Sequence, residues 1–183
     1  MPARYAFLID SHKCTGCHAC VMACKNYNQL APYQKWRIVY ALTEDVYPFE
    51  GRAFYSLGCN HCEDPACLKV CPVGAYSIRR DGIVVHDYDQ CVGCGRCVRS
   101  CPYEVPTFDP GMQKTHKCNM CYERIDKGLQ PFCVQACTTG GLSLIDLHTT
   151  NYTIQYPARF PYRPELNPST RFLLPRVPRL VML

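Results

Sequence analysis

The chain has 183 residues, of which 48% are hydrophobic and 19% are charged. This composition indicates a folded globular protein with one large or two small domains and excludes a disordered chain. The formal net charge is +5, but the excess lies mainly in residues 151–183, and the rest of the chain has no basic stripe typical of nucleic-acid-binding proteins.

The sixteen cysteines require a partner for their thiols, and disulfides, zinc and iron-sulfur clusters are the three alternatives. Residues 1–14 have no apolar core and no small-residue cleavage site, so the sequence predicts no export signal and disfavours disulfides. Prolines and arginines interrupt the apolar residues 172–183, and no stretch approaches the roughly 20 residues that cross a bilayer. We therefore expect any membrane link to run through another subunit.

The cysteines form four groups of four along the chain, and each group ends in CxxxC. Groups one and three have the spacing CxxCxxCxxxC, whereas the second gap is longer in group two and much longer in group four. In chain order the groups are Cys14, Cys17, Cys20, Cys24; Cys59, Cys62, Cys67, Cys71; Cys91, Cys94, Cys97, Cys101; and Cys118, Cys121, Cys133, Cys137.

The spacing favours [4Fe-4S] clusters over zinc. Three closely spaced cysteines bind three corners of a cubane, and the fourth reaches a neighbouring cluster in two-cluster ferredoxins. Zinc needs only four ligands, usually from two separated CxxC pairs, so the remaining cysteines of each group would be redundant. Small residues in groups one and three either form simple turns or bring backbone N–H groups toward the sulfurs; these are Thr15, Gly16, Gly93 and Gly95.

Residues 72–90, which link groups two and three, predict a β-hairpin. Strand-forming residues flank Asp81-Gly82, which is a favoured turn dipeptide. Groups two and three, each followed by a proline (Pro72 and Pro102), would then form one complete small ferredoxin. Groups one and four would pair by elimination, although spacing alone also permits pairing group one with group two.

Four segments give the chain a specific resemblance. They are YAFLID before CTGCHACVMACK, CNHCEDPACLKVCPVGA, CVGCGRCVRSCPYEVP, and KCNMCYERIDKGLQPFCVQAC, within residues 4–147. Together they resemble the four-cluster iron-sulfur (beta) subunits of molybdopterin oxidoreductases of the dimethyl sulfoxide reductase and polysulfide reductase type. The chain departs from the commonest pattern in lacking a proline after Cys137.

The resemblance implies sixteen cysteine ligands in four sets, and no catalytic residue. Some relatives hold a [3Fe-4S] cluster where tryptophan replaces a group-three cysteine; this chain keeps all four, so four [4Fe-4S] clusters are expected. The implied sets are set A (Cys14, Cys17, Cys20, Cys137), set B (Cys24, Cys118, Cys121, Cys133), set C (Cys59, Cys62, Cys67, Cys101) and set D (Cys71, Cys91, Cys94, Cys97).

The expected fold is α+β, with two ferredoxin-like 2×[4Fe-4S] modules, one nested in the other. The outer module would comprise residues 1–58 and 102–147, and the inner module residues 59–101. Residues 148–183, rich in proline, would form an extended strap. This strap lies either along a partner subunit or over the protein's own surface.

Other polar residues have simpler explanations than catalysis or metal binding. His18 and His61 lie within cysteine groups, but the thiolates already supply every ligand, and Glu63-Asp64 beside Pro65 indicates a turn. The sequence contains no nucleophile and base arrangement and no nucleotide-binding motif.

The resemblance implies an electron-transfer subunit rather than an enzyme. It would relay single electrons between a large molybdenum or tungsten pterin catalytic subunit and a second redox partner, a quinone-linked membrane subunit or a soluble carrier. The expected location is a prokaryotic membrane-associated complex, exported folded with a partner, or else the cytoplasm. The alternatives are a free polyferredoxin, disfavoured by the long linkers 25–58 and 102–117, and a zinc-organised scaffold.

Overall fold

The computed structural model describes residues 2–42, 53–157 and 160–174. The fold is mixed α and β, with short strands and few, short helices. The strands are β1 Tyr5–Asp10, β2 Ile38–Ala41, β3 Phe54–Leu57, β4 Tyr76–Ile78, β5 Val84–His86, β6 Thr107–Asp109, β7 Lys114–His116, β8 Leu142–Asp146 and β9 Arg171–Leu173. The helices are α1 Ala19–Tyr27, α2 Ala66–Lys69, α3 Arg96–Ser100, α4 Tyr122–Ile125 and α5 Phe132–Gln135, with a 3₁₀ helix at Pro164–Leu166.

A three-stranded sheet in the order β8-β1-β9 joins distant parts of the sequence. Strand β1 pairs antiparallel with β8, so that Tyr5 lies opposite Asp146, and parallel with β9, so that Leu8 lies opposite Arg171. Helix α1 packs on α5. The segment that carries group one therefore lies against the segment that carries the end of group four.

Three two-stranded hairpins complete the strand pairing within residues 2–42, 53–157 and 160–174: β2 with β3, β4 with β5, and β6 with β7. The hairpin predicted between groups two and three is present as β4 and β5, with Tyr76 opposite His86. Gly82 has a φ of 80°, and its N–H donates to the Arg79 carbonyl. The other two hairpins lie in the stretches interpreted from the sequence as long linkers.

Cysteines form part of the hydrophobic core rather than lining its edge. One large cluster combines apolar side chains such as Phe7, Ile9 and Phe172 with cysteines from groups one, two and four. A second, smaller cluster contains Cys67 and Cys97. Within the described ranges, no helix is long and apolar enough to cross a membrane.

The described residues of the tail pack on the protein's own body. Phe160, Leu166 and Phe172 are buried, and Phe172 is fully inaccessible. The Ser169 N–H donates to the Asn60 carbonyl at 3.0 Å, and the Ser169 hydroxyl donates to the His61 carbonyl at 2.8 Å. For residues 160–174 these contacts match the own-surface alternative, while residues 158–159 and 175–183 lie outside the described part.

Candidate iron-sulfur sites

The four cysteines of set C surround one enclosed cavity. Its space is about 380 Å³, counted with the solvent that reaches it, and its accessible lining is apolar. Besides these cysteines, the wall includes the apolar side chains Ala66, Val84, Val105 and Leu166. Four sulfurs around a space with a largely apolar wall suit an occupant that binds sulfur.

Sets D and A line cavities of similar size. The set D cavity is about 270 Å³ and is also lined by Tyr76, His86 and Thr115. The set A cavity is about 330 Å³ and is also lined by Thr15, Ser56 and Gly141. In both, the lining cysteines are the four that the resemblance groups together.

The cysteines of set B also lie close together, as their mutual electrostatic influence indicates. Burial raises the pKa of the Cys24 thiol, and three neighbouring thiols raise it further, those of Cys118, Cys133 and Cys121. The same thiols influence one another, since Cys118 and Cys133 both raise the pKa of Cys121 to about 12, after burial as the main cause. Cys24 of α1 therefore lies beside group four.

Burial controls the protonation of these thiols. It raises the pKa of Cys59 to about 11 and that of Cys67 to about 12. Cys91 is an exception, because hydrogen bonds from Thr115 and Gly93 outweigh burial and lower its pKa. Without a metal the thiols of Cys59 and Cys67 are therefore neutral at pH 7, so cluster binding there replaces protons with iron.

The four cysteine groups share one backbone feature. The second residue after the first cysteine of each group has a left-handed conformation: Gly16 (φ 71°), His61 (φ 43°), Gly93 (φ 69°) and Met120 (φ 59°). This turn directs the N–H groups of His61 and Met120 to the sulfurs of Cys59 and Cys118, both at 3.4 Å. Such hydrogen bonds stabilise negative charge on sulfur.

Sequence reasoning identified this turn only where glycine marks it. His61 and Met120 adopt the same conformation without glycine, and aligning the four groups on their first cysteines would have found both positions. His61 also has a defined tautomer, because its Nδ1 accepts the Val84 N–H at 3.1 Å, which leaves the proton on Nε2.

Several buried hydrogen-bond donors near the cysteines have no protein partner in the described residues. Buried donors are nearly always satisfied, so such atoms indicate a missing acceptor. These atoms are Trp36 Nε1, Asn60 Nδ2 and His61 Nε2, and Asn60 lines the set C cavity. An anionic, sulfur-rich cluster fits this surplus of donors.

The sets follow one another in the order A, B, C, D. Cys20 of set A and Cys133 of set B are electrostatic neighbours, as are Cys118 of set B and Cys59 of set C. Sets C and D meet where Cys67 and Cys101 neighbour Cys97. The two exposed cysteines, Cys17 and Cys94, belong to the terminal sets A and D.

Two cations are buried among these sets. Arg37 is 2% exposed; its Nη1 donates to the Ser56 carbonyl at 3.1 Å, and its guanidinium lies 4.4 Å from the Phe7 ring centroid. Lys117 is 1% exposed and lines the set C cavity. A charge this deeply buried is costly unless other charges or dipoles stabilise it.

The acidic pair in group two has structural contacts. Glu63 accepts from Arg4 at 2.8 Å and contacts Asn167 of the tail, while Asp64 pairs with Lys69 at 2.5 Å.

Within residues 2–42, 53–157 and 160–174, no three Cys, His, Asp or Glu side chains have the arrangement that holds a single metal ion. The same ranges contain the three four-cysteine cavities described above.

Comparisons with known proteins agree with this chemistry. The family described as "4Fe-4S dicluster domain" matches residues 52–147, and the "4Fe-4S binding domain" matches residues 7–27. One chain of the anaerobic dimethyl sulfoxide reductase of Escherichia coli strain K12 is 45% identical over 145 residues, which cover 75% of this chain and 71% of that protein. The chain therefore belongs to the 4Fe-4S dicluster family.

Further relatives place this dicluster protein among reductase subunits. The corresponding chain of the Haemophilus influenzae anaerobic dimethyl sulfoxide reductase is 39% identical over 163 residues, covering 83% of this chain and 80% of that protein. One subunit of the tetrathionate reductase of Salmonella typhimurium is 38% identical over 147 residues, covering 79% of this chain and 58% of that protein. The dicluster protein is thus an iron-sulfur subunit of this reductase type, with multiple [4Fe-4S] clusters as its cofactors.

Proposed function

We propose that this dicluster protein is a non-catalytic electron-transfer subunit that binds four [4Fe-4S] clusters, one in each of sets A, B, C and D. It relays single electrons between a molybdenum or tungsten pterin catalytic subunit and a second redox partner. The observation that carries the proposal is the series of four cysteine sets, which leads from exposed Cys17 at one end to exposed Cys94 at the other.

The proposed ligand sets divide between two nested modules. Sets A and B belong to the outer module, residues 1–58 and 102–147, and sets C and D belong to the inner module, residues 59–101. Support comes from the pairing of β1 with β8 and the packing of α1 on α5, which bring the two halves of the outer module together. Residues 148–183 form the strap in this division.

The protein's own residues would supply binding, hydrogen bonding and exclusion of water. The clusters bring the one-electron chemistry, and the cysteine thiolates hold them. Backbone N–H groups, such as those of His61 and Met120, favour negative charge on sulfur. Apolar side chains such as Val84, Val105 and Leu166 in the wall of the set C cavity would limit the access of water to that cluster.

The proposed partners follow from the relatives. The curated relatives are named as chains of a dimethyl sulfoxide reductase and a tetrathionate reductase. We therefore propose a large pterin-containing catalytic subunit as one partner. The second is a quinone-linked membrane subunit or a soluble carrier, within a membrane-associated bacterial complex that faces the periplasm after export with its partner.

The test is anaerobic purification of the tagged chain from its native cells, with metal and subunit analysis. The expected result is about sixteen irons and as many acid-labile sulfides per chain, together with a larger chain that contains molybdenum or tungsten. Reduction should generate electron paramagnetic resonance (EPR) signals from interacting clusters.

Three other results would contradict parts of the proposal. A stable monomer with full iron and no partner would indicate a free polyferredoxin. A colourless protein with zinc and almost no iron would indicate a zinc-organised scaffold. Resistance of the complex to protease in spheroplasts would place it on the cytoplasmic face.

A further inference from the structure

Lys117 lies at the junction between sets B and C, next to Cys118 in sequence and in the wall of the set C cavity. Its Nζ donates to the Cys118 carbonyl at 2.9 Å and to the Val84 carbonyl. These two bonds use two of its three N–H donors. The ammonium is thus held in place between the two central cysteine sets.

In the described part of the chain, few negatively charged groups lie near Lys117. Among the described residues no carboxylate forms a salt bridge with it, since each ion pair there involves other cations. The side chains that share the cavity wall with Lys117 include the cysteines of set C, and the imidazoles of His61 and His86 are also near, since Lys117 lowers the pKa of both. A buried ammonium with carbonyl acceptors alone would be expensive, so its position calls for an anion.

A bound cluster would supply that anion. A [4Fe-4S] core with four thiolates carries about −2 when oxidised and one negative charge more when reduced. A fixed positive charge stabilises the reduced form more than the oxidised form, because its attraction grows with the negative charge. One electron enters from the neighbouring cluster or an external reductant, and no bond forms or breaks.

We propose that Lys117 is a positioning residue that raises the reduction potential of the central clusters, chiefly the cluster of set C, by serving as their buried countercharge. The inference rests on the proposed four-cluster function. Arg37 has the corresponding place between sets A and B, since its neighbours include the thiols of Cys20, Cys24, Cys118 and Cys133. Lys117 therefore acts on the junction of the two modules, and Arg37 chiefly on sets A and B.

The test is an EPR-monitored redox titration of the complex with Lys117→Met, Lys117→Gln or Lys117→Arg. For the neutral variants we expect a reduced-to-oxidised ratio about tenfold lower for at least one cluster, which corresponds to about 59 mV for a one-electron couple. Lys117→Arg keeps the charge and should retain most of the wild-type potential.

Two controls separate this effect from general charge loss and from packing. Lys127→Met removes an exposed lysine and should change the ratio less than about twofold, because solvent and salt screen it. Arg37→Met should change the clusters of sets A and B more than the cluster of set C, the reverse of the order expected for Lys117→Met.

Iron content makes every outcome informative. Wild-type protein with about sixteen irons upholds the four-cluster function independently of Lys117. Unchanged potentials in fully loaded Lys117→Met would overturn the countercharge role. If the neutral variants instead lose iron, Lys117→Arg decides between two explanations. Iron retained by Lys117→Arg supports a requirement for positive charge. Equal iron loss in Lys117→Arg assigns Lys117 to packing and overturns the proposal.

Discussion

The centre of the molecule and its two ends surround cysteines in different ways. In the central set B, Cys118 is 6% exposed and Cys133 is 4% exposed, and Lys117 lies between this set and set C. At the ends, Cys17 and Cys94 are exposed and lie on loops. Under the proposed function, buried clusters at the centre would need internal countercharge, whereas the exposed cysteines would place the terminal clusters within reach of another protein.

The largest expected effect is the difference in iron content and Tm between the loss of a central cysteine and the loss of a terminal one. Cys133→Ala should remove the set B cluster, disturb its neighbour in set A, and lower the Tm by more than about 10 °C, because cluster binding contributes folding free energy. Cys17→Ala should lose at most about four irons, those of one cluster, with a smaller change in Tm. Iron analysis and thermal unfolding by circular dichroism measure both, and equal losses in the two variants would remove the distinction.

A second comparison concerns strand β9 of the tail, whose Phe172 lies in the buried core. Phe172 is fully buried against Tyr55, Tyr156 and Phe160, with ring centroids 5.4 to 6.0 Å away. Phe172→Ala should lower the free energy of unfolding by about 3–5 kcal/mol, measured by denaturant titration. Phe108→Ala, at a residue 38% exposed, should cost less than about 1 kcal/mol. Similar values for both would show that the tail contributes little to the core.

A third comparison tests the loop at the set D end. Gly93 and Gly74 both have left-handed backbones, with φ of 69° and 64°. A Cβ at Gly93 would collide with the Gln113 carbonyl oxygen, whereas a Cβ at Gly74 meets nothing within 4 Å. Gly74→Ala should cost about 1–2 kcal/mol.

Gly93→Ala should cost more than Gly74→Ala and should selectively lose the set D iron, about four atoms per chain. Iron quantification and EPR of the remaining clusters measure this loss. Full iron retention in Gly93→Ala would mean that the loop shifts without releasing its cluster.

The smallest expected effect lies on the surface between the two proposed modules. Arg79 of the β4–β5 hairpin pairs with Asp126 at 2.5 Å, and this hydrogen bond holds the pKa of Asp126 below its ordinary value of 3.8. A lowered carboxyl pKa gives stability that is present above pH 3.8 and is lost as the pH falls through the lowered pKa.

Asp126→Asn should therefore lower the Tm by about 2 °C or less, because exposed ion pairs contribute little. The difference should stay constant between about pH 8 and pH 5 and should shrink in about 1 M salt. A difference that grows with salt would assign the effect to something other than the ion pair.

The sequence by itself determined the chemistry and much of the local structure. Cysteine spacing specified iron-sulfur ligation because a cubane needs closely spaced thiolates, and the Asp81-Gly82 dipeptide specified a hairpin that β4 and β5 form. Glycine marked the left-handed turns at Gly16 and Gly93. It could not mark those at His61 and Met120, where the surrounding structure imposes a conformation that side chains disfavour.

Only the tertiary structure decided which distant residues meet. Local spacing carries no information about contacts more than ninety residues apart, so β9 against β1 and Cys24 beside Cys118 were beyond derivation from spacing alone. The buried positions of Arg37 and Lys117 were also invisible in the sequence, because charged residues are usually exposed. Their burial depends on the cysteine sets that the fold assembles around them.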